Sequence, residues 1–258
     1  MKRLDGKRAI VTGANRGIGR AIAERLAEEG ATVMLCARDQ ALLDQTVDGI
    51  VSKGGKAEAL SLDLRLADAG SKLVEHTVAR WGGVDIVVNN AGATKRGEFV
   101  DLTEDDWADG FALKFFGAVR VTRAAWSHLR ESHGSVIHIS GIGGRTPGAQ
   151  FAIGGSVNAA LLSFTKALAE TGLRDGVQVN CISPGTIRTE RYSKRLETMA
   201  REQGIAMNEA EAAFVKAQRV SRIGEPSEVA GMVAYLVTEG RFLHGSIIDI
   251  DGGATKTV

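Results

Sequence analysis

The chain is poor in proline, cysteine and aromatic residues: 3 Pro, 2 Cys and 5% Phe, Trp and Tyr in 258 residues. Two cysteines cannot build a disulfide framework. Both stand in apolar runs, Cys36 within Val33–Ala37 and Cys181 within Val177–Ile182, where a thiol reads as a small core residue. The five histidines show no ligand spacing, so no metal is expected. Charge of one sign is missing too. With 32 Lys and Arg against 31 Asp and Glu the net charge is +1, which leaves no footprint for nucleic acid or anionic membrane. Met1–Lys7 is charged, short and without a signal pattern. No apolar run is expected to reach the length of a membrane span. These absences point to a cytoplasmic protein whose partner is a small molecule.

What is present is alternation. Apolar β-branched runs at Arg8–Thr12, Thr32–Ala37, Ala57–Leu62, Ile86–Asn89, Ser135–Ser140, Gln178–Ser183 and Ser246–Ile250 read as strands. Helical patterns lie between them at Gly19–Glu29, Asp39–Lys53, Ala67–Trp81, Glu104–Arg130, Val157–Thr171 and Pro226–Val237. Strand and helix in strict succession argue for an α/β fold, a doubly wound parallel sheet covered by helices on both faces. A chain of this length buries about three-quarters of its unfolded surface and needs no staple. No linker or repeat divides it, so residues 1–258 are expected to form one three-layer domain. The charged, helical stretch at about 188–222 reads as a mobile flap inserted before the last helix.

The junction of the first strand and first helix carries Gly13, Gly17 and Gly19. Glycines there permit a tight turn and let backbone N–H groups reach a diphosphate at the helix N-terminus. A glycine triplet is a weak sign in a chain with 32 glycines; its place between a buried strand and an amphipathic helix makes it a strong one. The second strand ends in Arg38, followed by Asp39. Arg38, joined by Arg16 from the loop, suits the 2′-phosphate of NADP(H), because guanidinium forks match phosphate geometry. Asp39 taking the ribose hydroxyls would instead serve NAD(H). The expected cofactor is NADP(H), ahead of NAD(H).

These residues resemble the short-chain dehydrogenase/reductase family, in the style of its 3-oxoacyl-carrier-protein-reductase-like members. The resemblance covers nearly the whole chain. Thr12 to Gly19 is similar to the family's dinucleotide loop, and Asp63 to its acid near the adenine. Asn89 to Gly92 is similar to the segment beside the cofactor, and Ser183 to Thr189 to the loop closing over the nicotinamide. Arg222 to Pro226 and Asp251 to Gly253 fit its C-terminal signature. The resemblance implies cofactor contacts at Gly13, Asn15, Arg16, Gly17, Ile18 and Gly19; at Arg38, Asp63 and Leu64; at Asn90, Ala91 and Gly92; and at Pro184, Gly185, Ile187 and Thr189. It also implies a homo-oligomer, dimer or tetramer, paired through the long helices that carry Phe115, Phe116 and Trp126.

The family's proton chemistry uses an Asn, a Ser, a Tyr and a Lys. Aligned through Asn158, those four positions hold Lys114, Gly141, Gly154 and Asn158 here. No change of register restores a tyrosine, since neither Tyr192 nor Tyr235 stands four residues before a lysine. Lys has taken the Asn position and Asn158 the Lys position. If the two face each other, an ammonium is kept near the nicotinamide. Lys114 is then a candidate electrostatic stabiliser or general acid, against the alternative of a lysine reaching out to solvent along an apolar stripe of Trp107, Phe111, Ala118, Val121 and Ala125. Ser140 polarises a substrate oxygen only if the strand end slips by one, because neighbouring strand side chains point to opposite faces. His138 shares its orientation and reads as a core histidine. The glycines at 141, 143, 144, 148, 154 and 155 either widen the cleft or mark a relaxed site. If the cleft is intact, Gly154→Tyr with Asn158→Lys should restore some ordinary activity.

Two functions of different class follow. The first is an NADP(H)-dependent oxidoreductase of a carbonyl/alcohol pair, with non-standard proton chemistry. The second is a catalytically silent NADP-binding sensor or partner subunit. Hydration or isomerisation through Lys114 is a third.

Overall fold

The structure, a computed structural model, describes residues 2–256. Seven parallel strands form one sheet: β1 (Arg8–Thr12), β2 (Thr32–Ala37), β3 (Lys56–Ser61), β4 (Ile86–Asn89), β5 (Ser135–Ile139), β6 (Gln178–Pro184) and β7 (Ile247–Ile250), in the order β3-β2-β1-β4-β5-β6-β7. This is the expected doubly wound sheet. The order reverses between β1 and β4, and the two crossovers leaving in opposite directions open a crevice at their carboxyl ends.

Alternate residues of each strand feed two separate cores. On one face Val11, Val33 and Leu35 meet Ile22 and Leu26 of α1 (Gly17–Glu28), Leu43 of α2 (Gln40–Val51), and residues of α9, introduced below. On the other, Ile10, Met34 and Val136 meet Leu73 of α3 (Ala69–Trp81) and a long helical body between β4 and β5. That body opens with α4 (Glu104–Gly110), where Thr103 and Asp106 exchange side chain-to-backbone hydrogen bonds and so satisfy its first N–H groups. It closes with α5 (Gly117–Glu131). Between them, Phe111–Phe116 forms a π-helical stretch. The sequence pattern read one uninterrupted α-helix here. A π turn inserts an extra residue and rotates everything after it, so Ala118, Val121 and Ala125 are buried while Trp107 and Phe111 are only partly so.

The helix after β5, α6 (Ala152–Asp175), starts five residues earlier than its pattern suggested. With the turn before it, 149–175 has the length of a membrane span and contains an 18-residue stretch of mean hydropathy 1.2, contrary to the expectation from the sequence. Its apolar face is spent elsewhere. Ile153, Val157, Leu161 and Thr165 are buried, and the helix packs on β6.

The stretch expected as a mobile flap is a helical hairpin, α7 (Glu190–Gln203) and α8 (Met207–Gln218), with a small core of Tyr192, Leu196, Ala200, Ala210, Phe214 and Ile223. Its two stems are tied by backbone bonds from Arg188 N to Gly224 O (2.8 Å) and Gly224 N to Thr186 O (3.1 Å). Arg188 adds ion pairs to Glu211 (2.7 Å) and Glu225 (2.9 Å). Pro226 then opens α9 (Pro226–Val237), where its missing N–H costs nothing, and Val229 and Val233 seal the first core against α1.

Candidate active site

The loop between β1 and α1 forms one lip of the crevice. Gly13 and Gly17 have φ of +64° and +54°, a region that side chains resist. At Gly19 a Cβ would collide with the carbonyl oxygen of Gly13, so only glycine lets the helix start this close to the strand. Asn90 secures the arrangement from β4: its Nδ2 donates to the carbonyls of Thr12 (3.0 Å) and Gly13 (3.2 Å). The Thr12 hydroxyl accepts from Asn90 N and Ala91 N, each at 3.0 Å. The result is a concavity of closely packed backbone at a helix N-terminus, whose first N–H groups have no partner within the helix, which fits a dinucleotide diphosphate. The loop after β6 closes over it. Gly185 N bonds Ile250 O at 2.9 Å, Pro184 pairs with Ile250 in β7, Ile187 is buried, and the Thr189 methyl stands 3.2 Å from where a Gly17 Cβ would be. Asn15 and Ile18 lie partly buried on the same lip.

At the end of β2 the two candidate ribose-recognition residues separate. The Asp39 carboxylate accepts from Leu42 N at 3.1 Å through Oδ1 and so caps α2. Arg38 is exposed and lies 4.0 Å from Asp63. Asp63 is itself held by Arg65 (3.2 Å), and Leu64 beside it is buried. Arg16 does not converge with Arg38 as the sequence suggested. It turns to Glu190, 3.3 Å away at the start of α7. Both are exposed pairs of small energy, easily exchanged for a ligand phosphate.

The opposite lip brings together the four positions aligned with the family's proton-transfer residues. Lys114, in the π stretch, points inward rather than to solvent. Its Nζ donates to Asn158 Oδ1 (2.6 Å) and to the Ser140 carbonyl (2.8 Å). Its methylenes lie on Gly92, where a Cβ would stand 2.8 Å from Cδ. No carboxylate of the described residues lies within 4 Å of that ammonium. Desolvation, reinforced by the charge of Arg191 and opposed by Cys181, pushes its pKa down to about 8. Asn158 is buried on α6, and its Nδ2 would be 3.0 Å from a Cβ at Gly141. Ser140 donates its hydroxyl to the Asn158 carbonyl at 3.1 Å, so that proton is held within the fold. His138 is fully buried behind this wall. Its Nδ1 lies 3.3 Å from Asn89 Nδ2, and burial pushes its pKa down to about 4. Both cysteines are free and buried, with thiols pushed up to about 12 and about 11.

At two glycines of the run the room is occupied rather than open. The ring of Phe151 lies across Gly154 and within 2.7 Å of a Gly143 Cβ, filling the space these glycines vacate. A tyrosine at 154 would strike that ring, so the two-residue restoration expected from the sequence requires Phe151 to move aside. The Arg96 guanidinium stands over the Phe151 ring, 4.1 Å from its centre. Arg191 of α7 donates to the Gly92 carbonyl at 3.1 Å. Phe151, Arg96 and Arg191 were missed in the sequence. The signals for two of them were present: Phe151 precedes Gly154 by one helical turn, and Arg191 follows Thr189 of the closing loop by two residues.

Comparison with known proteins agrees with this layout. A family model described as enoyl-(acyl carrier protein) reductase matches residues 13–255. An uncharacterized oxidoreductase of Methylorubrum extorquens is 35% identical over 98% of this chain and 99% of its own. L-sorbose reductase of Gluconobacter frateurii, solved with NADPH and L-sorbose, superposes with a TM-score of 0.95 at 30% identity, over 100% of both chains. A short-chain dehydrogenase of Burkholderia cenocepacia solved with NADP superposes with a TM-score of 0.85 at 35% identity, over 98% of this chain and 99% of that one.

Proposed function

The chain belongs to the short-chain dehydrogenase/reductase family and is an oxidoreductase of carbonyl/alcohol substrates; we propose that it uses NADP(H), and that Lys114 rather than a tyrosine exchanges the proton with the substrate oxygen. In this reading all four customary proton-transfer positions are substituted, by Lys114, Gly141, Gly154 and Asn158. When bound, the nicotinamide supplies the hydride to the carbonyl carbon. Gly13 to Gly19 would hold the diphosphate, and Arg38 the 2′-phosphate. The cap from Asp39 Oδ1 to α2 orients that carboxylate along its own helix, while the Arg38 guanidinium stands exposed at the end of β2, and this favours the 2′-phosphate over the hydroxyl pair of NAD(H).

The placement of the Lys114 ammonium carries the proposal. It has three N–H donors. Asn158 and the Ser140 carbonyl accept two of them, and the third is free for a carbonyl oxygen in the cleft. As a carbonyl is reduced, that N–H bond breaks and an O–H bond forms on the substrate. The neutral amine then keeps its two hydrogen bonds and presents its lone pair where the third proton was, so the same group serves as base for alcohol oxidation. A pKa of about 8 puts both forms within reach near neutral pH.

The test is a pair of pH–rate profiles. Reduction needs the ammonium, so kcat/KM falls as pH rises through about 8; oxidation needs the amine and rises across the same range. Flat profiles in both directions would remove Lys114 from the proton path. The crowding of Phe151 against Gly154 is the one observation favouring a silent dinucleotide-binding protein. NADPH binding without turnover of any ketone would establish that second reading.

A further inference from the structure

We propose that the substrate carries an anionic group, a carboxylate or phosphate, which Arg96 and Arg191 grasp at the mouth of the cleft with Arg195 beside them. This rests on the oxidoreductase reading above. Arg96 lies near enough to Arg191 and Arg195 to feel the charge of both. Arg191 bonds the carbonyl of Gly92, the residue that lies on the Lys114 side chain. Arg96 stacks on Phe151, whose ring covers Gly143 and Gly154 beside Asn158. Arg195, one turn along α7 from Arg191, stands 4.8 Å from the centre of the Phe214 ring.

Among the described residues none of the three has a carboxylate within 4 Å. The acids nearby are engaged elsewhere: Glu190 with Arg16 (3.3 Å), Glu98 with Gln150 (2.8 Å), and Asp106 with Lys95 (2.7 Å). The cations accordingly feel one another. Desolvation first, then Arg195 and Arg191, lowers the pKa of Arg96; desolvation and Arg16 lower that of Arg191. Like charges gathered without counter-charge oppose folding, in a chain whose net charge is only +1. The aromatic faces of Phe151 and Phe214 hold two of the guanidiniums in place without using their edges. Each guanidinium has five N–H donors. Arg191 spends one on Gly92, and Arg96 and Arg195 spend none on described residues. A built, unpaired guanidinium fork beside a proton donor is what a carbonyl compound with an anionic tail requires.

The test uses pairs of carbonyl compounds with and without an anionic group: benzoylformate and methyl benzoylformate, 4-oxopentanoate and its methyl ester, dihydroxyacetone phosphate and dihydroxyacetone. We expect kcat/KM for at least one anion to exceed that of its neutral partner by about tenfold or more, and the excess to shrink as salt rises. Which pair responds distinguishes carboxylate from phosphate. In Arg96→Gln and Arg191→Gln the ratio collapses toward one while the NADPH Kd moves less than twofold. Calorimetric titration of the NADP-loaded protein with the same anions reads binding without turnover. Binding that the two variants abolish, with no carbonyl reduced, keeps the anion site and overturns the oxidoreductase reading. Esters turned over as well as acids, with no calorimetric binding, overturn the anion site alone. A tenfold rise in NADPH Kd with an unchanged ratio also overturns it, by assigning the arginines to the cofactor's phosphates.

Discussion

At Gly19 an added Cβ would collide with the backbone oxygen of Gly13; at Gly154, across the crevice, it would collide with the side-chain ring of Phe151. The two glycines differ in what they make room for. On the dinucleotide lip the close approach is between backbone and backbone, locked by Asn90 and the Thr12 hydroxyl, and the concavity stays open toward the crevice. On the substrate lip the room made by Gly143 and Gly154 is taken by the protein's own phenylalanine, and the proposed proton donor is Lys114. A backbone contact admits no alternative. A side-chain contact can be traded for another, so the first lip is a shape and the second a choice of residues.

Lys114→Ala should break the comparison most deeply. Loss of a positioned proton donor lowers turnover by about 100- to 10,000-fold, removes the pH dependence near 8, and leaves NADPH affinity intact. Turnover is measured by cofactor absorbance and affinity by fluorescence. Gly19→Ala should do the reverse. Overpacking against the Gly13 carbonyl raises the NADPH Kd by about 30-fold, with the sheet retained by circular dichroism. Arg38→Ala tests the charge at the rim. One charge-assisted contact to a 2′-phosphate is worth about tenfold in NADPH affinity, and NADH affinity should not change. The smallest effect concerns the exchangeable lip. Gly154→Tyr with Asn158→Lys gains no turnover and lowers Tm by about 5 °C, the cost of overpacking against Phe151. Adding Phe151→Ala restores the Tm. A double variant that is active and stable would mean that the ring yields readily.

Sequence periodicity located every strand to within a residue, because buried parallel strands are short apolar runs between punctuating residues. It placed helix ends less well. The π turn at Phe111–Phe116 leaves no mark in a helical pattern, since its neighbours on both sides keep the ordinary repeat. The dinucleotide lip was legible because it is local: Gly13, Gly17 and Gly19 act through chain conformation within seven residues. The missing tyrosine was legible for the same reason, as a matter of composition and spacing. The direction of Arg16, the capping role of Asp39 and the nearness of Arg96 to Arg191 and Arg195 were not.

The chain alone therefore determined the parallel sheet, the glycine lip and the lack of a tyrosine four residues before a lysine, all of which follow from residue type and short-range spacing. Only tertiary packing decided that Lys114 meets Asn158, 44 residues away, and that Phe151 closes over Gly154. Those contacts depend on how two helices seat against the end of one sheet, and the π stretch Phe111–Phe116, which carries Lys114, shifts the register of the helix that presents it.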